Sequence, residues 1–211
     1  MVLCVHVKGH FWENCYFYID DNTKHGFLID PGAQAEKLLK IISNRGWVIE
    51  KILLTHGHFD HMGAVEGIRD VLDIPVYAHK MSDEYLLDAE RNLSSLCGSA
   101  ILIKNVKYLD DGEIILLKSN PNFCLKVVYT PGHTTDSIVF YNENDNIAFV
   151  GDTIFKGSIG NYQYPGGNKR VLIKSILEKI LTLPKNTILY SGHSDSTTVE
   201  NELKRYGLNI K

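Results

Sequence analysis

The segment Thr55-His56-Gly57-His58-Phe59-Asp60-His61-Met62-Gly63-Ala64 constrains this chain more than any other. Three imidazoles and a carboxylate stand between His56 and His61, directly after the apolar run Ile52-Leu53-Leu54. That run has polar neighbours on both sides and reads as a strand buried on both faces. Burying so many polar groups beside it without partners would cost on the order of several kcal/mol. The bland alternative is a solvated, histidine-rich loop. In the extended part of such a turn, residues two apart point to the same side, so His56 and His58 can converge on one metal. Asp60 and His61, around the bend into a helix, can then reach a second metal close by.

The rest of the chain supplies layers to enclose this turn. Residues 2–7, 15–19 and 26–30 read as antiparallel strands, the third stopped by Asp30-Pro31-Gly32. Residues 33–44 carry Ala35, Leu38, Leu39, Ile41 and Ile42 near helical spacing, with Gly46 as terminator. Residues 64–72 read as a helix, 76–78 as a strand ending at His79, and 81–87 as another helix, with 91–99 a loop or loosely helical insertion. From Leu109 onward, strand-like runs at 114–117, 125–129, 137–141 and 147–150 predict a second sheet. Residues 168–181 read as one amphipathic helix closed by Pro184. Residues 188–190 form one more strand, and Thr197-x-x-Glu200 reads as a capping box for a last helix through Arg205, stopped by Gly207. Two sheets face to face with helices outside would bury all these faces, in a single domain over residues 1–211.

Three further motifs share one design, a polar residue just beyond a strand and next to glycine. They are Thr130-Pro131-Gly132-His133-Thr134, Gly151-Asp152-Thr153 and Ser191-Gly192-His193-Ser194. Strand ends form a common edge in α/β architectures, so distant segments can meet there around one ligand. Taken singly, His133 or His193 is more often a hydrogen-bonded turn residue. Beside the central cluster, both read as ligands. Asp30 reads as a buried carboxylate organising the histidine turn, and His79 as a structural, hydrogen-bonded histidine.

With these motifs in order, the chain resembles the metallo-β-lactamase superfamily, in particular its glyoxalase II-like branch of hydroxyacylglutathione hydrolases. The T-H-x-H-x-D-H signature at Thr55–His61, Asp30-Pro31-Gly32, Pro131-Gly132-His133-Thr134, Gly151-Asp152-Thr153-Ile154-Phe155 and Gly192-His193 carry the resemblance. It implies a four-layer αβ/βα sandwich. It also implies that His56, His58 and His133 hold one metal, that Asp60, His61 and His193 hold a second, and that Asp152 bridges them. Two divalent ions would share a water, lower its pKa and polarise a carbonyl, which suits thioester hydrolysis by a metal-bridging hydroxide. Asp60 would orient the attack. Zinc is favoured by the resemblance, while the imidazole and carboxylate donors also suit iron and manganese.

The ligand set distinguishes branches of the family. True zinc β-lactamases commonly place a cysteine or another ligand at the position of Asp152. The competing reading within the fold is a mononuclear iron persulfide dioxygenase, using the equivalents of His56, His133 and Asp152. A metal-stabilised binding module without turnover is the third. Long glyoxalase II enzymes hold glutathione with a C-terminal helical domain, for which little chain follows His193. Related short enzymes place a basic residue where this chain has Asn161. Both departures bear on the identity of the thiol. Lys156, Tyr162 and Tyr164 are the residues of that stretch that could touch a substrate.

Composition narrows the partners. The net charge of −3 offers no broad positive field for nucleic acid or anionic lipid. No run approaches the roughly 18 apolar residues of a membrane span, and the N-terminus lacks the pattern of a signal peptide. Cys4, Cys15, Cys97 and Cys124 are scattered without a C-x-x-C pair, so they read as reduced thiols in a cytoplasm. A small acyl thioester is the expected partner.

Overall fold

The computed structural model describes residues 1–207. Its first part runs β1 (Val2–Lys8), β2 (Trp12–Ile19), β3 (His25–Ile29), α1 (Ala35–Arg45), β4 (Val48–Leu53), α2 (Phe59–Met62) and α3 (Val65–Leu72). β5 (Val76–His79), α4 (Asp83–Leu86), a 3-10 turn (Ser94–Cys97) and β6 (Lys107–Leu109) complete it. The second part contains β7 (Ile114–Leu116), β8 (Cys124–Tyr129), β9 (Ile138–Asn142), β10 (Ile147–Gly151), the small hairpin β11 (Ile154–Phe155) and β12 (Ser158–Ile159), and α5 (Lys169–Ser175). A π-turn (Ile176–Ile180), β13 (Ile188–Ser191), β14 (Thr197–Thr198) and α6 (Val199–Arg205) follow.

The strands form two sheets in the orders β1-β2-β3-β4-β5-β6 and β14-β13-β10-β9-β8-β7. Alternation along the strands explains how these sheets stack. In β2, Cys15, Phe17 and Ile19 face the helix side of the first sheet, where they meet Leu38 of α1 and Ile68 of α3. Tyr16 and Tyr18 face the other way, into the core between the sheets. Ile138 and Phe140 of β9 enter that inner core from the opposite side, as do Ile147 and Phe149 of β10. Val139 and Ala148 turn outward against Leu172 and Ile176. Each such fully buried aliphatic or aromatic side chain contributes about 1.5–3 kcal/mol relative to exposure. The expected four-layer αβ/βα arrangement is observed, with three apolar cores between the layers. No helix among the described residues is long and apolar enough to cross a membrane.

Several elements differ from their sequence readings. The helix expected over 81–87 is the short α4, and β6, β11, β12 and β14 were not anticipated. The helix expected over 168–181 breaks at Ser175 into a π-turn, where the Leu181 N–H donates to the Ile176 carbonyl. Leu172 and Leu181 are nine positions apart and lie on opposite sides of a regular helix of about 3.6 residues per turn. Both are buried, and the wide turn is what brings them into one core. The last helix is capped by Thr198, whose hydroxyl accepts from the Asn201 N–H, while Thr197 donates to Glu202 instead.

The site is positioned by strand direction. β8 and β10 each pair antiparallel with β9, and β10 pairs parallel with β13. The carboxyl ends of β8, β10 and β13 therefore share one edge, against which the turn after β4 is packed.

Candidate metal centre

The turn after β4 is held from beneath by Asp30, which follows β3. The Thr55 N–H and hydroxyl donate to Asp30 at 2.8 and 2.6 Å, and His61 Nδ1 lies 3.0 Å from its Oδ2. Asp30 is thus the organising carboxylate that the sequence reading expected. His58 is the N-terminal flanking residue of α2, so Asp60 and His61 lie in its first turn and face the same region.

The structure brings all the sequence-selected residues together. His56, His58 and His133 form one group of donor atoms that lie within 4.8 Å of one another, and Asp60, His61 and His193 form another. Asp152 reaches both: its Oδ2 lies 3.6 Å from His133 Nε2 and 3.5 Å from His193 Nε2, and its Oδ1 lies 3.4 Å from His61 Nε2. Close backbone approach is required here, since a Cβ at Gly192 would lie 2.4 Å from Asp152 Oδ1 and 2.5 Å from His61 Cε1.

Hydrogen bonding assigns the tautomers of His56, His61, His133 and His193, and it turns a lone pair inward from each of these four rings. His133 Nδ1 donates to the Asn161 carbonyl at 2.6 Å, and His193 Nδ1 donates to the Trp12 carbonyl at 2.6 Å. His61 Nδ1 donates to Asp30. Because Thr55 Oγ1 gives its proton to Asp30, it accepts from His56 Nδ1 at 3.1 Å. In each case Nε2 is left as an acceptor facing the centre. His58 presents Nδ1 instead, 3.2 Å from His56 Nε2 and 3.0 Å from His133 Nε2. His58 Nδ1 can donate to at most one of these two nitrogens, and His58 Nε2 and Asp152 Oδ1 are buried without a hydrogen-bond partner. The donor set therefore fits divalent cations, which bind neutral imidazole and ionised carboxylate.

The electrostatics of His56, His58 and Asp152 agree with this fit. Burial, followed by the neighbouring imidazoles, holds His56 far below the usual histidine range. Burial and then His133 bring His58 down to about 3. Burial alone would raise Asp152, but His193 and His61 outweigh it and keep the carboxylate ionised. His61 and His193 are instead shifted up: burial opposes their charge, yet Asp152 together with Asp30 outweighs it at His61, and Asp152 together with Asp60 at His193.

His79 is buried, accepts from the Met81 N–H and stacks on Tyr129 at 4.4 Å, a structural role. Tyr164 lines the cleft above the site, whereas Tyr162 lies beneath Lys169 and Lys156 pairs with Asp195. Sequence reasoning missed Glu13, which is buried with both oxygens unpartnered and 3.8 Å from His61 Nδ1. It also missed Asp136, a buried carboxyl that accepts from Ser82 and is pushed up to about 6 by burial. Neither has a spacing signal. The cleft is also lined by Phe11, Phe59, Leu93 and Phe155. Asn14 straps β2 to the loop after β13 by donating to the Ser191 and Ser194 carbonyls.

A family model described as the metallo-beta-lactamase superfamily matches residues 13–193. The chain is 39% identical over 197 residues to a probable metallo-hydrolase, YqgX, of Bacillus subtilis, covering 92% of this chain and 90% of that protein. It is 31% identical over 195 residues to the hydroxyacylglutathione hydrolase GloC of Haemophilus influenzae, covering 91% and 90%. Among solved structures, the crystal structure of the BLEG-1 B3 metallo-beta-lactamase superposes with a TM-score of 0.90 at 36% identity, covering 97% of both chains.

Proposed function

Since the chain belongs to the metallo-β-lactamase superfamily and is a metal-dependent hydrolase of it, we propose that it is a dinuclear enzyme hydrolysing small acyl thioesters. The observation that carries this reading is the pair of donor groups with Asp152 between them. His56, His58 and His133 would hold one metal, Asp60, His61 and His193 the other, and Asp152 both. When bound, two divalent ions lower the pKa of a shared water towards neutrality and polarise a carbonyl. Zinc is the proposed metal, on donor chemistry that iron and manganese share.

The chain's own residues have distinct tasks in this reaction. Asp60 stands at the cleft floor, where its Oδ2 lies 3.3 Å from His193 Nε2. Its carboxylate orients the attacking water and accepts a hydrogen bond from it. The Asn161 and Trp12 carbonyls and Asp30 keep His133, His193 and His61 in the tautomers that face the centre. A thiol leaves as thiolate without a strong general acid, since its pKa is only about 8.5. The name of the Haemophilus relative, a hydroxyacylglutathione hydrolase, supports the thioester class. Residence in a reducing cytoplasm is part of the proposal, supported by the free state of Cys4, Cys15, Cys97 and Cys124.

The likeness to the BLEG-1 β-lactamase favours β-lactam hydrolysis as a second reading. One experiment separates the two and also tests the dioxygenase alternative. Protein purified without a chelating tag is analysed for metals, then assayed on acyl thioesters, on a chromogenic cephalosporin, and for oxygen uptake with a persulfide. The expectation is about two metals per chain, with thioester turnover that falls at least about a hundredfold in His58→Ala. Turnover of the cephalosporin alone, or one iron with oxygen uptake, rejects the thioesterase.

A further inference from the structure

We infer that the cleft above the metal centre is built for an uncharged, apolar acyl thioester with a short thiol arm, selected by Phe11 and Trp12, and not for a glutathione ester. The inference rests on the thioesterase reading and names its substrate class. Its first support is the lining. Phe11, Trp12, Phe59, Leu93, Phe155 and Tyr164 surround the mouth above Asp60 and Asp152. The cleft measures about 340 Å³, near the lower end of the roughly 300–1,000 Å³ typical of small-molecule sites. A small acyl group and a short arm fill such a volume.

The second support is charge. Among the described residues lining the cleft there is no lysine or arginine. Of the cations elsewhere, Lys156 lies 3.0 Å from Asp195, and Arg91 lies 2.9 Å from Glu84. Lys8 sits over the Trp12 ring, 5.1 Å from its centroid. Glutathione brings two carboxylates and an ammonium group, so its carboxylates would enter a mouth whose rim offers aromatic surface, Asn161 and Asp60, and no lysine or arginine. Leaving such charges unpaired in an apolar cleft is unfavourable.

The third support is exposure coupled to position. Phe11 is 56% and Trp12 62% exposed, two neighbouring large apolar side chains that together form one rim of the cleft. Neither is free to wander from the site. The Trp12 carbonyl accepts from His193, and Phe11 packs against Phe59 with ring centroids 6.0 Å apart. The lip is therefore registered to the metal-binding residues through its backbone, while its side chains are available to substrate.

The test compares S-butanoyl-N-acetylcysteamine, which is neutral, with S-lactoylglutathione on the metal-loaded enzyme. We expect kcat/KM to favour the neutral ester by about tenfold or more. In Phe11→Ala/Trp12→Ala this preference should fall at least about fivefold, through KM and not kcat, and the conservative Trp12→Phe should retain it. Binding is read separately from turnover by tryptophan emission. The neutral thioether S-hexyl-N-acetylcysteamine should give a saturable change that is absent in Trp12→Phe, and S-hexylglutathione should give none at the same concentrations. Equal or better turnover of the glutathione ester, or equal binding of S-hexylglutathione, overturns the inference. If neither ester is hydrolysed while only the neutral thioether reports on Trp12, the thioesterase reading fails and the apolar specificity of the cleft stands.

Discussion

Asp30 touches no substrate, yet it decides how the centre is presented. By taking both the Thr55 hydroxyl proton and the His61 Nδ1 proton, it sets the inward-facing nitrogens of His56 and His61. Its structural role was legible because seven other donor candidates already complete two coordination shells. The partners of His133 and His193 were not legible, because they are backbone carbonyls, which every residue possesses. A second single-residue device, remote from the site, sets acid stability. Burial would raise the Glu50 carboxyl, but hydrogen bonds from the Ser119 and Lys118 turn and from His25 outweigh it and hold the group at about 2. Its folded value lies below its ordinary value of 4.5, so ionised Glu50 stabilises the fold above that pH. The contribution disappears as pH falls from about 4.5 towards 2. Thermal unfolding of wild type and Glu50→Gln between pH 7 and pH 2.5 should therefore show a gap in Tm that closes in this window. A gap independent of pH would remove Glu50 as its source.

Elements were readable where their own periodicity fixed them and misread where packing overrode it. The apolar run at residues 15–19 and the Leu38 and Ile42 spacing of α1 are local patterns; α1 formed close to its reading, and β2 extends the run back to Trp12. The break in the helix after Ser175 follows from the need to bury Leu172 and Leu181 together, a demand set by the second sheet and not by the helix. One glycine joins that helix to the site. Gly132 has φ 133°, and a Cβ there would lie 2.2 Å from the Leu172 N of α5. Gly132→Ala must strain the backbone or push α5 away, at about 1–3 kcal/mol. At about 2–4 °C per kcal/mol for a chain of this size, Tm should fall by roughly 3–10 °C, measured by calorimetry on the metal-free protein. Unchanged Tm would show that the turn yields without moving the helix.

At the scale of the whole molecule, the centre is a joint between sheets. His56, His58, Asp60 and His61 follow β4 of the first sheet, while His133, Asp152 and His193 follow β8, β10 and β13 of the second. A bound metal therefore couples the two halves, and its binding energy becomes folding energy. At a thousandfold excess over Kd this amounts to about 4 kcal/mol, or roughly 8–16 °C in Tm at this chain length. Chelation should lower Tm by that order, with recovery on adding back zinc. Loss of less than about 2 °C, within the change expected for under 1 kcal/mol, would mean the halves are held by the inner core alone.

The sequence by itself determined the donor types, their positions at strand ends, the layered architecture and the short-range convergence of His56 with His58. Those properties depend on residues close together in the chain, whose relative directions follow from backbone geometry. Tertiary structure alone decided that His133 meets His58 across 75 positions and that the Trp12 carbonyl orients His193 across 181. It also decided that Phe11 and Phe155 roof the same cleft. Such meetings depend on how two sheets pack over a shared core, a property of the assembled layers that no single segment encodes.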